Sequence, residues 1–150
     1  MLLEKGYVRS FQEAFDRFLK KGASAYVDKL RFTSGEAIHF IREAGGVAVV
    51  AHPNTLGMNG YQALEALLLQ LVREGLKGIE AYYPEHSPAE TVQYKFLAEK
   101  LGLVMTGGTD YHGIEGNELD IGVGRGDMKL PYSIIENLKS ARNRLMQSER

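Results

Sequence analysis

An α/β fold with parallel strands is what this chain predicts, and three observations predict it. Helix-start signatures alternate with short apolar runs, an order that calls for a parallel sheet or barrel joined by helical crossovers. Glycines stand where the helices ahead of those runs should close. Each run is apolar almost throughout, as strands covered on both faces are.

The first helix is expected over 11–21. Ser10 followed by Glu13 makes a capping box, in which a hydroxyl caps the backbone and a carboxylate three residues on reaches back. Gly22 would close it. Thr33 with Glu36 opens a second helix over 34–44, closed by Gly45 and Gly46, and the run Val-Ala-Val-Val-Ala follows as a strand at 47–51. Asn59 with Gln62 is a weaker start for a helix over 60–74, whose stripe Leu64, Leu67, Leu68 and Leu71 should face a core. Gly75 ends it, and 78–83 reads as the next strand. Ser87, Pro88 and Glu90 open a helix over 88–101, with proline at the first helical position, where its missing N–H costs nothing. After Gly102 comes a strand at 103–106. Ser133 with Glu136 opens the last helix, 134–146, with Ile134, Ile135, Leu138, Ala141 and Leu145 on its apolar face.

Two regions stand outside this rhythm. Residues 1–31 hold Phe11, Phe15 and Phe18 on one helix and an extended Ala-Tyr-Val stretch, and read as a small appended subdomain; 32–150 form the main body. Residues 107–130 contain seven glycines and no helix pattern, as a site-forming loop does.

A length of 150 residues suits one principal domain, and the 44% hydrophobic and 25% charged content is that of a globular protein. Net charge of −1 gives no general case for nucleic acid or membrane binding. Charge is uneven: 1–31 carry seven Lys/Arg against four Asp/Glu, net +3, leaving −4 for the rest. With no cysteine, any metal must be held by nitrogen and oxygen. There is no signal-peptide pattern and no apolar run of membrane-spanning length, so a cytoplasmic location is expected.

Three of the four histidines lie just past the C-terminal end of an apolar run, where loops of parallel α/β folds converge on active sites. His52 stands between a strand and Pro53, presented at the strand end as a candidate ligand. Asp110 and His112, spaced i, i+2 after Gly107-Gly108, should project to one side if extended. Together they offer hard oxygen and borderline nitrogen, a mixture that suits manganese, iron or zinc. His86 precedes the Ser87 cap, and an imidazole at a helix N-terminus can meet an anion. Arg125, in Gly122-Val-Gly-Arg-Gly-Asp127, has the fork geometry for phosphate. Glu80 lies inside an apolar strand and needs a partner if buried. His39 reads as helix surface or core edge.

Three motifs in order, Ala-Gly-Gly-Val-Ala-Val-Val-Ala-His-Pro (44–53), Gly-Ile-Glu-Ala-Tyr-Tyr-Pro-Glu-His-Ser (78–87) and Thr-Gly-Gly-Thr-Asp-Tyr-His-Gly (106–113), resemble the C-terminal half of the PHP (polymerase and histidinol phosphatase) family. The resemblance is nearest to its stand-alone metal-dependent phosphoesterases acting on nucleotides or RNA 5′ ends. It implies the C-terminal half of a distorted (β/α)7 barrel with parallel strands, preceded in 1–31 by the end of a small helical insertion. It further implies up to three divalent metals (Mn, Fe or Zn) at the C-terminal face, where they polarise phosphoryl oxygens and generate hydroxide for attack. By motif, His52, Asp110 and His112 resemble ligands of three different metals, with Asp110 and His112 also catalytic. His86 resembles a substrate-side histidine near the phosphate, and Arg125 is assigned to the substrate by its own fork geometry rather than by the motif. The family's opening His-x-His strand and its further Asp, His and Glu ligands have no counterpart here. About one protein ligand per metal remains, so the isolated chain is expected to be inactive, a fragment or half of a split enzyme. The alternative is a catalytically silent remnant that binds phosphate or a partner. Expected partners are a phosphate-ester substrate, nucleotide or oligonucleotide, and the missing half or a second copy at the open barrel edge.

Overall fold

The structure, a computed structural model, describes residues 1–28, 30–113 and 119–148; the part of the glycine-rich stretch at 114–118 lies outside the described residues. The chain divides into two compact units, Met1–Phe32 and Thr33–Arg150.

In the first unit, Ser10 Oγ accepts from the Glu13 amide at 3.0 Å and starts helix α1 (Phe11–Ala14). The Glu13 carboxylate reaches the Arg9 amide rather than that of Ser10. The helix then widens into a π turn, Phe15–Leu19, in which the Lys20 amide bonds back to the Phe15 carbonyl at 2.9 Å. It ends there, two residues short of the expected 21. Lys20 leaves in an extended conformation, so Gly22 closes no helix and instead serves the turn beyond.

The second unit is a three-stranded parallel sheet with helical crossovers, in the order β1-β2-β3: β1 is Val49–Val50, β2 Gly78–Tyr82 and β3 Val104–Gly107. The strands are shorter or shifted relative to 47–51, 78–83 and 103–106. β1 shrinks most, because the chain turns left-handed at His52 (φ 30°) and enters a 3-10 turn, Pro53–Leu56. Helix α2 (Ser34–Glu43) and helix α4 (Pro88–Leu101) begin on complete capping boxes, Thr33 with Glu36 and Ser87 with Glu90. Helix α3 (Tyr61–Glu74) does not use Asn59. Gly60 is its cap with no side-chain bond, at φ 91°, a conformation glycine adopts without strain. Helix α5 (Ser133–Ser148) takes in Ser133 as its first residue, and the amides of Ile134 and Ile135 bond to the carbonyls of Pro131 and Tyr132.

The core lies between sheet and helices. Its largest fully buried side chains are Leu68 of α3, Ile79 of β2 and Leu97 of α4, each stabilising the fold by about 1.5–3 kcal/mol through burial. Around them stand Leu64, Leu71, Ala81, Tyr94 and Leu103. On α5, Ile134 and Ala141 are buried while Ile135 is exposed, so the apolar stripe is narrower than its sequence. Gly78, the first residue of the central strand, sits where a Cβ would come within 2.9 Å of Val49 Cγ2 and 3.1 Å of Val104 Cγ2. A methyl there would wedge both outer strands. At its other end β2 is irregular between Glu80 and Tyr82, a bulge of the kind that re-aims side chains beside sites.

Two expectations follow. Gly78→Ala should lower unfolding stability by about 1–3 kcal/mol through overpacking, read from denaturant midpoints; an unchanged midpoint would show that the strands can part freely. The Thr33 amide and hydroxyl hold the Glu36 carboxyl below its ordinary 4.5, and the Ser87 hydroxyl and amide do the same for Glu90. A lowered carboxyl favours the folded state above its unfolded pKa, and that support is lost as pH falls through the folded one. The double variant Glu36→Gln, Glu90→Gln should therefore show a flatter stability profile than the parent below about pH 4.5; parallel profiles would remove the boxes from the acid response.

Candidate functional site

Because the three strands are parallel, their C-terminal ends share one edge of the sheet. Beyond β1 stands His52, beyond β2 Tyr83 to His86, and beyond β3 Asp110 to His112. Among the described residues, the two non-glycines with positive φ are His52 (30°) and Asp110 (51°). Left-handed backbone at such residues is strained and concentrates at functional positions.

Each of the three histidines engages its Nδ1. His86 Nδ1 lies 3.3 Å from the Ala81 carbonyl, and His112 Nδ1 lies 2.5 Å from the Asp110 carbonyl. A carbonyl only accepts, so each Nδ1 is the protonated nitrogen. His52 Nδ1 is 3.1 Å from Thr55 Oγ1, whose single proton is already donated to the His52 carbonyl at 2.9 Å. There too Nδ1 must donate. In neutral form all three rings therefore carry their free lone pair on Nε2. An Nδ1–H held by a backbone or side-chain acceptor is the usual arrangement behind a histidine that ligates a metal through Nε2.

Asp110 and His112 meet by a different route from the extended one expected. The chain turns at Asp110, His112 closes on that residue's own carbonyl, and its Nδ1 stands 4.0 Å from Asp110 Oδ1. Both side chains are open to solvent. His86 is buried, its ring edge-on to Tyr83 and Tyr94 at 5.1 and 4.7 Å, and its Nε2 has no hydrogen-bond partner. Arg125 is engaged: its guanidinium bonds to the Glu85 carboxylate at 2.5 Å and the Pro84 carbonyl at 3.3 Å. It also lines a cleft of about 240 Å³ with His86, Thr91 and Lys129. A phosphate entering there would compete with Glu85 for one edge of the fork. His39 is exposed on α2 and faces Glu43 at 3.4 Å.

Two residues the sequence undervalued hold the edge together. Glu80 Oε2 accepts the His52 amide at 2.6 Å, and Oε1 lies 3.7 Å from where a Cβ on Gly108 would stand, so one carboxylate spans the ends of β1 and β3. A charge inside an apolar strand was its only signal. Tyr83 lies between two imidazoles, 6.0 Å from the His52 ring and 5.1 Å from that of His86. Burial pushes its phenol above 10, and the nearby charges of Asp110, Glu85 and Glu80 push it further, against Arg125. No sequence pattern marks it.

The donors fit a divalent cation in kind: exposed Asp110 oxygen and imidazole nitrogen with Nε2 free. In number they do not complete one, since among the described residues no three His, Asp or Glu side chains stand close enough to share an ion. Nor is any helix among the described residues long and apolar enough to cross a membrane.

No family model matches the chain. Over 121 residues it is 31% identical to the 3′,5′-nucleoside bisphosphate phosphatase of Chromobacterium violaceum, covering 81% of this chain and 42% of that protein. Over 111 residues it is 30% identical to the 5′-3′ exoribonuclease Rnm of Escherichia coli, covering 74% and 38%. A solved amidohydrolase from Chromobacterium violaceum, with bound sulfate and no metal, is similar in fold at a TM-score of 0.69 and 30% identity, over 94% of this chain and 48% of that one. The chain thus spans less than half the length of each. Related sequence, a similar fold and the ordered strand-end motifs make the chain similar to part of the PHP-type phosphoesterases.

Proposed function

We propose that this chain carries one side of a metal-dependent phosphoesterase site that hydrolyses phosphate esters of nucleotides or of RNA and oligonucleotide 5′ ends in the cytoplasm. The observation that carries the reading is that His52, His86 and His112, all past C-terminal strand ends of one sheet, each engage Nδ1 and leave Nε2 as the free nitrogen. In this reading His52, Asp110 and His112 each contribute a ligand, to different divalent ions (Mn, Fe or Zn). Such a cation, when bound, supplies Lewis-acid polarisation of the phosphoryl group. Glu80 positions His52 through its amide, and His86 and Arg125 face the substrate phosphate.

Ligands beyond those described here are needed for turnover, and we place the sheet in the C-terminal half of a distorted (β/α)7 barrel, with 1–31 as the end of a helical insertion. The apolar groove of about 370 Å³ beside β1, lined by Ile38, Ile41, Val49, Leu56 and Leu67, supports this. It would take the further strands of a longer chain or, in the isolated one, a second copy. The lack of three converging ligands among the described residues favours one rival reading, a silent phosphate-binding remnant.

Three measurements decide. Phosphate release from a nucleoside 3′,5′-bisphosphate and from a 5′-phosphorylated oligoribonucleotide with Mn²⁺ should be absent for this chain alone and present when it is extended to its relatives' length. No release from the extended chain would favour the remnant. In the extended chain, Glu80→Gln should lower activity by about 10–100-fold, as loss of a ligand-orienting partner does, and Asp110→Asn by at least about that much; full activity in Asp110→Asn would remove it from the site. Light scattering on the isolated chain should show a dimer, and a clean monomer would exclude self-association through the groove.

A further inference from the structure

We propose that the Tyr83 hydroxyl is a further substrate-contacting group, which donates a hydrogen bond to the phosphate of an ester bound at the strand ends. This role rests on the phosphoesterase reading and adds to it a donor that no sequence motif marks.

Tyr83 stands where two sets of candidate residues meet. On one side is the His52 ring, 6.0 Å away between centroids, and on the other the His86 ring, edge-on at 5.1 Å. Asp110, Glu80, Glu85 and Arg125 all lie near enough to act on the phenol through their charges. The same tyrosine lines the cleft of about 240 Å³ that holds His86, Thr91, Arg125 and Lys129. A phosphate that reaches both Arg125 and the end of β1 therefore passes over this residue.

Packing and backbone fix the ring, while the hydroxyl is left uncommitted. The Tyr83 carbonyl accepts the His86 amide at 3.0 Å, so the turn that brings the second imidazole against the ring is built on Tyr83 itself. Three carboxylates stand near, yet the O–H bonds to none of them, nor to any other group among the described residues. It is not enclosed either: the unpartnered polar atom buried beside it is His86 Nε2.

The chemistry of a phenol suits this junction. Its O–H donates without carrying charge. A carboxylate in its place would repel a phosphate, and a cationic side chain would repel an ion held by His52 and Asp110. Arg125, for its part, has one edge of its fork taken by Glu85. A phosphate in the cleft thus needs a donor on the side facing β1, and Tyr83 supplies one. Fixed donors aimed at phosphoryl oxygens are effective because they need no reorganisation as charge builds up.

The test is NMR on the whole 150-residue chain with isotope-labelled tyrosine rings, titrated with inorganic phosphate. The Tyr83 signal, assigned by its loss in Tyr83→Phe, should move saturably, and sodium chloride at matched ionic strength should leave it in place. Followed through the amide signals of the strand-end loops, Tyr83→Phe should bind phosphate about tenfold more weakly, as loss of one hydrogen bond to an anion predicts. The substitution keeps the ring, and unchanged amide signals from the core show that the fold is kept. Arg125→Ala serves as the reference and should also weaken binding. Equal phosphate binding by the parent and Tyr83→Phe, with Arg125→Ala weakened, would overturn the hydroxyl's role and leave the phosphoesterase reading standing. A parent that binds no phosphate, or responds equally to chloride, would overturn both.

Discussion

Parallel pairing of three strands is the constraint from which the rest of this structure follows. It obliges each connection to return over the sheet as a helix, which is why α3 and α4 exist where they do and why their apolar stripes meet over Ile79. It also delivers the three strand ends to the same edge. The pairing tolerates little variation in the central strand. At Gly78 the outer strands approach so closely that Val49 and Val104 leave no room for a methyl group between them. Core and candidate site are thus two results of one geometry, the first packed between sheet and helices and the second at the C-terminal ends of the same strands.

At the edge itself, backbone and side chain act together. Glu80 holds the His52 amide, Thr55 holds the His52 ring, and the residue stays in a left-handed conformation that its side chain would otherwise disfavour. Asp110 is held in the same region by a turn that its own carbonyl helps close through His112. Two strained residues, both bearing candidate ligands, are consistent with orientation having been bought at some cost in local stability.

Much of this was legible before the fold was known. Thr33 with Glu36 and Ser87 with Glu90 announced their helices because capping is a local interaction, decided within four residues. Asn59 and Ser133 marked helices that do form, at Tyr61–Glu74 and Ser133–Ser148, but they are not the residues flanking the first turn. At those positions Gly60 and the Pro131 carbonyl offered the backbone an alternative that residue spacing does not reveal. The positions of His52, His86 and Asp110 at strand ends could be inferred from periodicity. The bond from Glu80 to an amide 28 residues earlier, the pairing of Arg125 with Glu85 40 residues away and the place of Tyr83 between two rings could not. Those depend on register between strands, which single-chain patterns leave open.

Tyr83 also makes the edge visible to light. The chain has no tryptophan and 8 tyrosines, so its intrinsic emission is tyrosine emission throughout. One of those rings, Tyr83, stands beside two imidazoles and within reach of three carboxylates. Any cation or anion arriving among them alters the field around that phenol and the quenching groups beside it. The molecule therefore contains a built-in optical reporter at its strand ends, with no brighter indole to mask it.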